Sequence, residues 1–397
     1  MLMENVKYSR SLEITSSYVK FAVGYVSKGV PHLVYYKQKP IDGLVSAGKI
    51  VNYDKLVEVL KEFHSIEDET IDIHMEPNAV STILPSIGFK VFKCDKASTV
   101  VGGDGVVAIV DVENVMMLIK RQPVEQGNAI VDVVPDYYVA NKQKYKEPPI
   151  GVKADSLSIG AKVHTLPMEF LTSFNRAVQD AGFRVLRTGV ASFCASQITK
   201  AEGGYPESYI LFDFGSDLTT VSIIGNNEAY SSRFTKMGGS SLSKKIAESL
   251  KIPYETANLL KEKYGYDTRV HQFETPLFIR DDKTKIYQKD LNLSIESFFK
   301  EFEPYLEAAL EQLEANHDQK YGSFPIILAG GASKLKGIEQ LLFQFFKDRK
   351  VFAYVPRVIG AREPGAINVL GMIVAEGSHK KASLIESYRG VTTLRRE

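Results

Sequence analysis

The sequence has no tryptophan, only two cysteines in 397 residues, and a net charge of just +1. Each scarcity excludes something. Near-neutral charge removes any global pull toward nucleic acid or another polyanion, and no local basic groove stands out along the chain. Cys94 and Cys194 lie far apart in apolar settings (VFKCDK and ASFCAS), with no CxxC and no His/Cys cluster. They read as two buried free thiols in a reducing compartment, which argues against a structural zinc site. No stretch reaches about 18 consecutive apolar residues, and the amino-terminal MLMENVKYSRSLEI lacks an apolar core. The expectation is a cytoplasmic protein without a standard secretion signal or spanning helix, whose membrane contact is peripheral. What is present is an ordinary globular composition, 44% hydrophobic and 24% charged, at a length that requires two or more domains.

Local patterning orders the elements. SLEITSSYVKFAVGYV reads as two strands joined by a tight turn at Thr15–Ser17, and HLVYYKQKPI as a third antiparallel strand. Residues 53–64 place Leu56, Val57, Val59, Leu60 and Phe63 at helical spacing, and the sheet is expected to resume at TIDIHMEP. The region of about 79–160 behaves as a small insertion: a helix-like AVSTILPSIG, a strand GVVAIVD, a helix DVENVMMLIKRQ and a strand AIVDVVPDYYVA, bounded by turn signals. A helix follows, with Thr165 as its expected cap, Pro167 in its first turn and Gly182 at its end. Phe170, Leu171, Phe174, Ala177, Val178 and Ala181 form its apolar face. The strand FRVLRTGV and the helix ASFCASQITKA close the first half.

The second half opens like the first. YILFDFGSDLTTVSIIGNNEAYSSRFTKMG is strand, tight polar turn, strand, short turn at 225–227, strand, so the chain carries an internal repeat. Helices at 239–251 and 254–264 precede a long helix at about 294–315, striped by Phe298, Phe299, Phe302, Leu306, Ala309, Leu310 and Leu313. Strand PIILAGG, a helix from Leu335 to Phe346, strand VFAYVP and a helix at 364–376 complete the order. Two hairpins and a strand ending in Gly-Gly are the parts of a phosphate site between domains. Turns rich in Gly, Ser and Thr offer backbone N–H groups and hydroxyls to phosphate. Asp213 followed by Gly215, Thr219 and Thr220 suits that role, with Asp213 able to hold a hydrated magnesium ion. Gly330 and Gly331 let backbone approach a base or ribose closely.

These segments resemble the cell-division protein FtsA family of the actin, heat-shock chaperone and sugar-kinase fold, from about Ser11 to Gly377. LFDFGSDLTTVSI is similar to the family's second phosphate motif, FTKMGGSSLSKKIAESL to the segment after it, and IILAGGASKLKGIEQLL to the adenosine motif. GVVAIVDVENVMMLI with AIVDVVPDYYVANKQ resembles the FtsA insertion, and FLTSFNRAVQDAGFRVLRTGVASFCASQ the elements that follow it. The resemblance implies an α/β actin-like two-domain ATPase fold with an FtsA-type insertion subdomain. It divides the chain into a first core (1–78 and 161–204), the insertion (79–160), a second core (205–235 and 321–378), a smaller subdomain (236–320) and a basic tail (379–397). The implied nucleotide residues are Glu13, Thr15, Ser16, Ser17, Lys20, Asp213, Gly215, Ser216, Thr219, Gly238, Gly239, Asn258, Lys261, Gly330, Gly331, Ala332 and Lys334.

Departures from the family pattern weaken the expectation of ATP with magnesium. The first phosphate loop normally reads Asp-x-Gly-Thr/Ser, and here it is Glu13-Ile14-Thr15-Ser16. In the second loop Asp217 adds a negative charge beside the phosphates. Asn258 stands where the family commonly has Glu, and no residue stands out as a base for water. No catalytic residue, and hence no efficient enzyme, is expected. The resemblance also implies self-assembly into filaments and binding of the acidic C-terminal peptide of the tubulin-like FtsZ, with Lys300 and Tyr305 as contacts and Tyr305 replacing a common Arg. The tail SHKKASLIESYRGVTTLRRE holds five Lys/Arg against two Glu, but Gly390 weakens any amphipathic membrane helix. The implied function is a division scaffold at the inner face of the membrane, contacting FtsZ, other division proteins and itself. The alternative is a pilus- or secretion-type actin homologue that binds an inner-membrane partner; a small-molecule kinase or chaperone ATPase fits less well.

Overall fold

The computed structural model describes residues 8–68, 73–75, 77–269, 275–317, 321–346, 349–361 and 363–378. The chain opens with β1 (Ser9–Ile14), β2 (Tyr18–Ser27) and β3 (Val30–Pro40), an antiparallel meander as expected. After the small hairpin β4 (Val45–Ser46) and β5 (Lys49–Ile50) comes α1 (Tyr53–Lys61). Asn52 caps α1 by accepting the Lys55 N–H at 3.2 Å, and Leu56, Val57, Val59 and Leu60 are buried on its inner face. The strand expected at TIDIHMEP lies partly outside the described residues. Its described portion, β7 (Ile73–Met75), pairs only with β6 (Ile66–Asp68).

The strand that resumes the main sheet is β8 (Ala79–Leu84), where a helix was expected. All six of its residues are buried. A strand covered on both faces has no polar–apolar alternation to reveal it, and its Val, Ser, Thr and Ile run suits a parallel pairing with β1. The insertion therefore begins later than residue 79, with β9 (Lys90–Thr99), a strand that periodicity left out. The expected strand at 105–111 is also absent: Val106 makes one isolated bridge to Lys153, and α2 (Ile109–Lys120) already starts there. Asp111 explains this, since its carboxylate accepts the N–H groups of Val101 at 2.6 Å and Ala108 at 2.8 Å and so starts the helix early. The insertion continues through β10 (Asn128–Ala140), β11 (Gln143–Tyr145) and β12 (Ser156–Pro167). Thr165 is part of β12 and donates its hydroxyl to Lys90 O at 3.2 Å, so it caps nothing; α3 (Met168–Asp180) starts directly after Pro167.

β13 (Arg184–Val190) and α4 (Ala191–Glu202) lead to the second half, β14 (Tyr209–Phe214), β15 (Thr219–Gly225) and β16 (Glu228–Thr235). Next come α5 (Gly239–Leu250), α6 (Tyr254–Lys263), the short pair β17 (Phe278–Ile279) and β18 (Lys285–Ile286), and α7 (Gln288–His317). The chain then runs through β19 (Ile326–Ala329), α8 (Ile338–Phe345), β20 (Val351–Ala353) and α9 (Ile367–Ser378).

The repeat is visible in the sheets. In the first half the order β3-β2-β1-β8-β13 pairs antiparallel twice and then parallel twice. In the second, β16-β15-β14-β19-β20 does the same. One contact, Ser231 beside Lys90, joins β16 to β9 and so continues the second sheet into the insertion as nine strands. Glu13 and Asp213 thus hold equivalent places, each one residue before the end of its half's first strand.

Three cores hold these layers. One covers the first sheet, α1, α3, α4 and α9; another lies under α5 to α8; a third fills the insertion. Every residue of the α7 stripe is buried, with Phe299 and Phe302 packed on Phe214 and Phe298 packed on both of them. Each such ring contributes about 2–3 kcal/mol by leaving water. α9 corrects the expected division, because it packs on α4, β1 and β2 in the first core although its residues follow the second. Gly371 makes this crossing possible: a Cβ there would lie 1.8 Å from Cys194 O.

Candidate functional site

The duplicated hairpins and the β19–α8 connection converge between the two halves. At the floor, Lys20 extends from β2 and donates to Glu13 Oε2 at 2.9 Å and to Gly365 O at 2.6 Å. Asn368, on the first turn of α9, donates from Nδ2 to the other Glu13 oxygen at 2.7 Å. Glu13, Lys20 and Asn368 are all nearly inaccessible to solvent. Asp213 completes the floor from the other half. A Cβ on Gly330 would meet its Oδ1 at 2.5 Å, so only glycine lets the Gly330 backbone pass, at φ +83°. Although part of Asp213 stays open to the cleft, its walls enclose the carboxyl. Burial, with Glu13 adding its charge, pushes the Asp213 pKa up to about 6, against the opposing pull of Lys20 and Asn368.

The two phosphate turns differ. In the first, Thr15 Oγ1 accepts the backbone N–H groups of Ser17 at 3.3 Å and Tyr18 at 3.0 Å. The side chain that replaced the family's glycine thus takes up donors that a phosphate oxygen would use. The second turn is bound to the start of α5: Gly239 N donates to Gly215 O at 3.0 Å, Ser240 N to Ser216 O at 2.9 Å, and the Ser216 and Ser240 hydroxyls lie 2.6 Å apart. A Cβ on Gly238 would sit 2.4 Å from Ser216 O. Thr219 braces this turn by donating to Met237 O at 2.8 Å.

On the opposite wall, Lys261 of α6 donates to Gly239 O at 3.1 Å and Ser243 Oγ at 2.8 Å. Burial lowers its pKa. Asn258 accepts from Ser243 Oγ at 2.9 Å and donates to Glu262 at 2.8 Å. Ala332 approaches Gly239, and Gly331 beside it faces open space, so a ligand has room there. Lys334 pairs with Glu363 at 3.1 Å across the rim.

Of the residues proposed for nucleotide, the cleft brings Glu13, Lys20, Asp213, Gly330 and Gly331 together, with Gly239, Lys261 and Ala332 beside one another. Asn368, Gly365, Ser240, Ser243 and Glu363 join them, and sequence reasoning missed these five. Gly365 and Asn368 follow a strand by a long connection and carry no local phosphate-turn pattern; Ser240 and Ser243 lay within the quoted GGSSLS segment, and only the helix geometry turns them inward. Lys300 and Tyr305 lie elsewhere, exposed on α7. Five residues apart, they project about 140° apart around the helix, so a peptide reaches both only by wrapping it. Glu301, Glu307 and Glu311 are exposed on the same helix.

The residues present do not fit a resident divalent ion well. Both Glu13 oxygens are already engaged, and the Lys20 ammonium lies close enough to Asp213 to influence its titration. Among the described residues no group of three His, Cys, Asp or Glu side chains could hold a metal, and no helix is long and apolar enough to cross a membrane.

The family model for cell division protein FtsA matches residues 210–371, which run from β14 into α9. The FtsA of Enterococcus faecalis is 23% identical over 372 residues, covering 91% of this chain and 82% of that protein. Among solved structures, a PilM–PilN type IV pilus biogenesis complex superposes with a TM-score of 0.59 at 16% identity, covering 93% of this chain and 98% of that one. MreB5 of Spiroplasma citri bound to AMPPNP gives 0.54 at 14% identity, covering 96% and 98%. The chain is distantly related to the FtsA family and is built on the actin-like α/β fold.

Proposed function

We propose that this protein is an actin-like cell-division scaffold that links FtsZ filaments to the cytoplasmic face of the membrane. The observation that carries this reading is the extent of its likeness to FtsA, which reaches across both halves of the duplicated fold and the insertion within the first. The cleft supports a scaffold rather than an enzyme. Glu13 has both carboxylate oxygens tied into a structural network, so it is not free to activate water on a phosphate. Nucleotide, where it binds, is held by Gly239, Gly331 and Lys261, and its role is to set the state of the scaffold.

The FtsZ C-terminal peptide is acidic, and Lys300 is an exposed cation of α7 that answers it. Fluorescence anisotropy with a labelled peptide tests this: Lys300→Glu is expected to weaken binding about tenfold, or about 1.4 kcal/mol. Equal affinity for both forms would remove α7 from the peptide site, and no binding by the natural chain would sink the FtsZ link. The pilus-type alternative rests on fold likeness alone, and binding to a membrane partner's tail instead of FtsZ would favour it.

A further inference from the structure

We propose that the Lys20 ammonium is the resident cation of the cleft, so that this protein takes a nucleoside diphosphate without a divalent metal. The inference rests on the reading of the cleft as a nucleotide site. A hydrated divalent ion in such a site needs oxygens that are free to face it and no competing cation nearby. Here Glu13 gives one oxygen to Lys20 at 2.9 Å and the other to Asn368 at 2.7 Å. The longer acid at this position is what lets the carboxylate reach both donors. Lys20 is held from its other side by Gly365 O at 2.6 Å, so the ammonium is fixed rather than swinging. Asp213 is the remaining acid, and a divalent ion on it would face that buried ammonium as a like charge in a poorly screened site.

Lys20 can instead act on the ligand. A Cβ on Gly365 would come within 3.7 Å of Lys20 Nζ and 4.0 Å of Gly331 N, which places the ammonium beside the backbone edge that the ligand approaches. The first turn adds a length limit. Its Ser17 and Tyr18 N–H groups are occupied by the Thr15 hydroxyl, so a third phosphate loses two backbone donors there. A diphosphate uses the second half and Lys20 and leaves the first turn closed.

Isothermal titration of the natural chain with ADP, in EDTA and again in millimolar magnesium, tests the inference. The expected result is an ADP affinity that is highest in EDTA and falls severalfold in magnesium, which ties up the free ADP, with ATP binding more weakly than ADP in EDTA. An ADP affinity that is unchanged or rises with magnesium would overturn it and leave the nucleotide reading standing. Absence of ADP binding in both conditions would sink the nucleotide reading itself, and this inference with it. A second readout needs no variant. The manganese electron paramagnetic resonance signal, recorded with ADP and excess protein, should return to that of aqueous manganese as the protein takes up metal-free ADP. A new protein-bound signal would contradict the assignment.

Discussion

At the scale of single residues, two side chains set what the molecule tolerates. Thr15 closes the first turn with its own hydroxyl. Thr15→Gly frees two backbone donors, and ATP affinity by titration should rise about tenfold, at a cost in stability of about 0.5–1 kcal/mol from the added backbone freedom. Unchanged ATP affinity would mean that the turn is not a phosphate seat. His164 acts on stability. It lies in β12 with its ring edge-on to Phe89 and tilted against Phe193, at centroid distances of 5.3 and 5.0 Å. Burial lowers its pKa from 6.5 to about 4, with Asp132 opposing and Arg187 and Lys162 adding to the shift. Between these two values the unfolded chain binds a proton that the folded chain refuses. Stability is whole above pH 6.5 and falls as pH drops toward 4, by about 3 kcal/mol in total. His164→Phe keeps an aromatic ring there and should flatten that part of the unfolding-midpoint profile. A slope like that of the natural chain would assign the acid sensitivity to other groups.

At the scale of elements, the insertion is tied to the first sheet by Arg187 of β13 and Asp132 of β10, which meet at 2.5 Å with the guanidinium over Phe193. Arg187→Met leaves a buried carboxylate uncompensated and should cost about 3–5 kcal/mol in denaturant unfolding; adding Asp132→Leu should recover most of it. Full additivity of the two losses would show that the pair is not what couples the elements. Elements of this protein were legible where helical spacing or a flanking tight turn marked them. α1 and the α7 stripe show in the spacing of their apolar residues, and the β1–β3 meander and the second hairpin set in β-branched runs joined by short polar turns. β8 was not legible, because both its faces are covered and the pattern disappears. The α2 start was misplaced because Asp111 turns an apolar run into a helix by a hydrogen bond that hydrophobicity does not encode. In the cleft, residues on the Gly-rich turns were visible, whereas Gly365 and Asn368 arrive from the far end of the chain and meet Glu13 only through the packing of α9 on β1. The basic tail at 379–397 lies outside the described residues.

At the scale of the whole molecule, a duplicated fold encloses a cleft between its halves, and the chain crosses from one half to the other through α4 and back through α9. A ligand in the cleft would meet elements of both halves at once, which is how the proposed scaffold would couple the setting of its halves to nucleotide. The insertion meets the second half's sheet through the β16–β9 pairing, beside which Ser232 N donates to Phe89 O at 3.1 Å, and through the ion pair of Lys162 in β12 with Glu228 in β16. The central claim is that this architecture serves division by attachment to FtsZ. Its most direct test is the position of a fluorescent fusion in the protein's own cells. The account predicts a band at the division site that disperses when FtsZ is depleted; a signal that stays diffuse, or a band that persists without FtsZ, would contradict it.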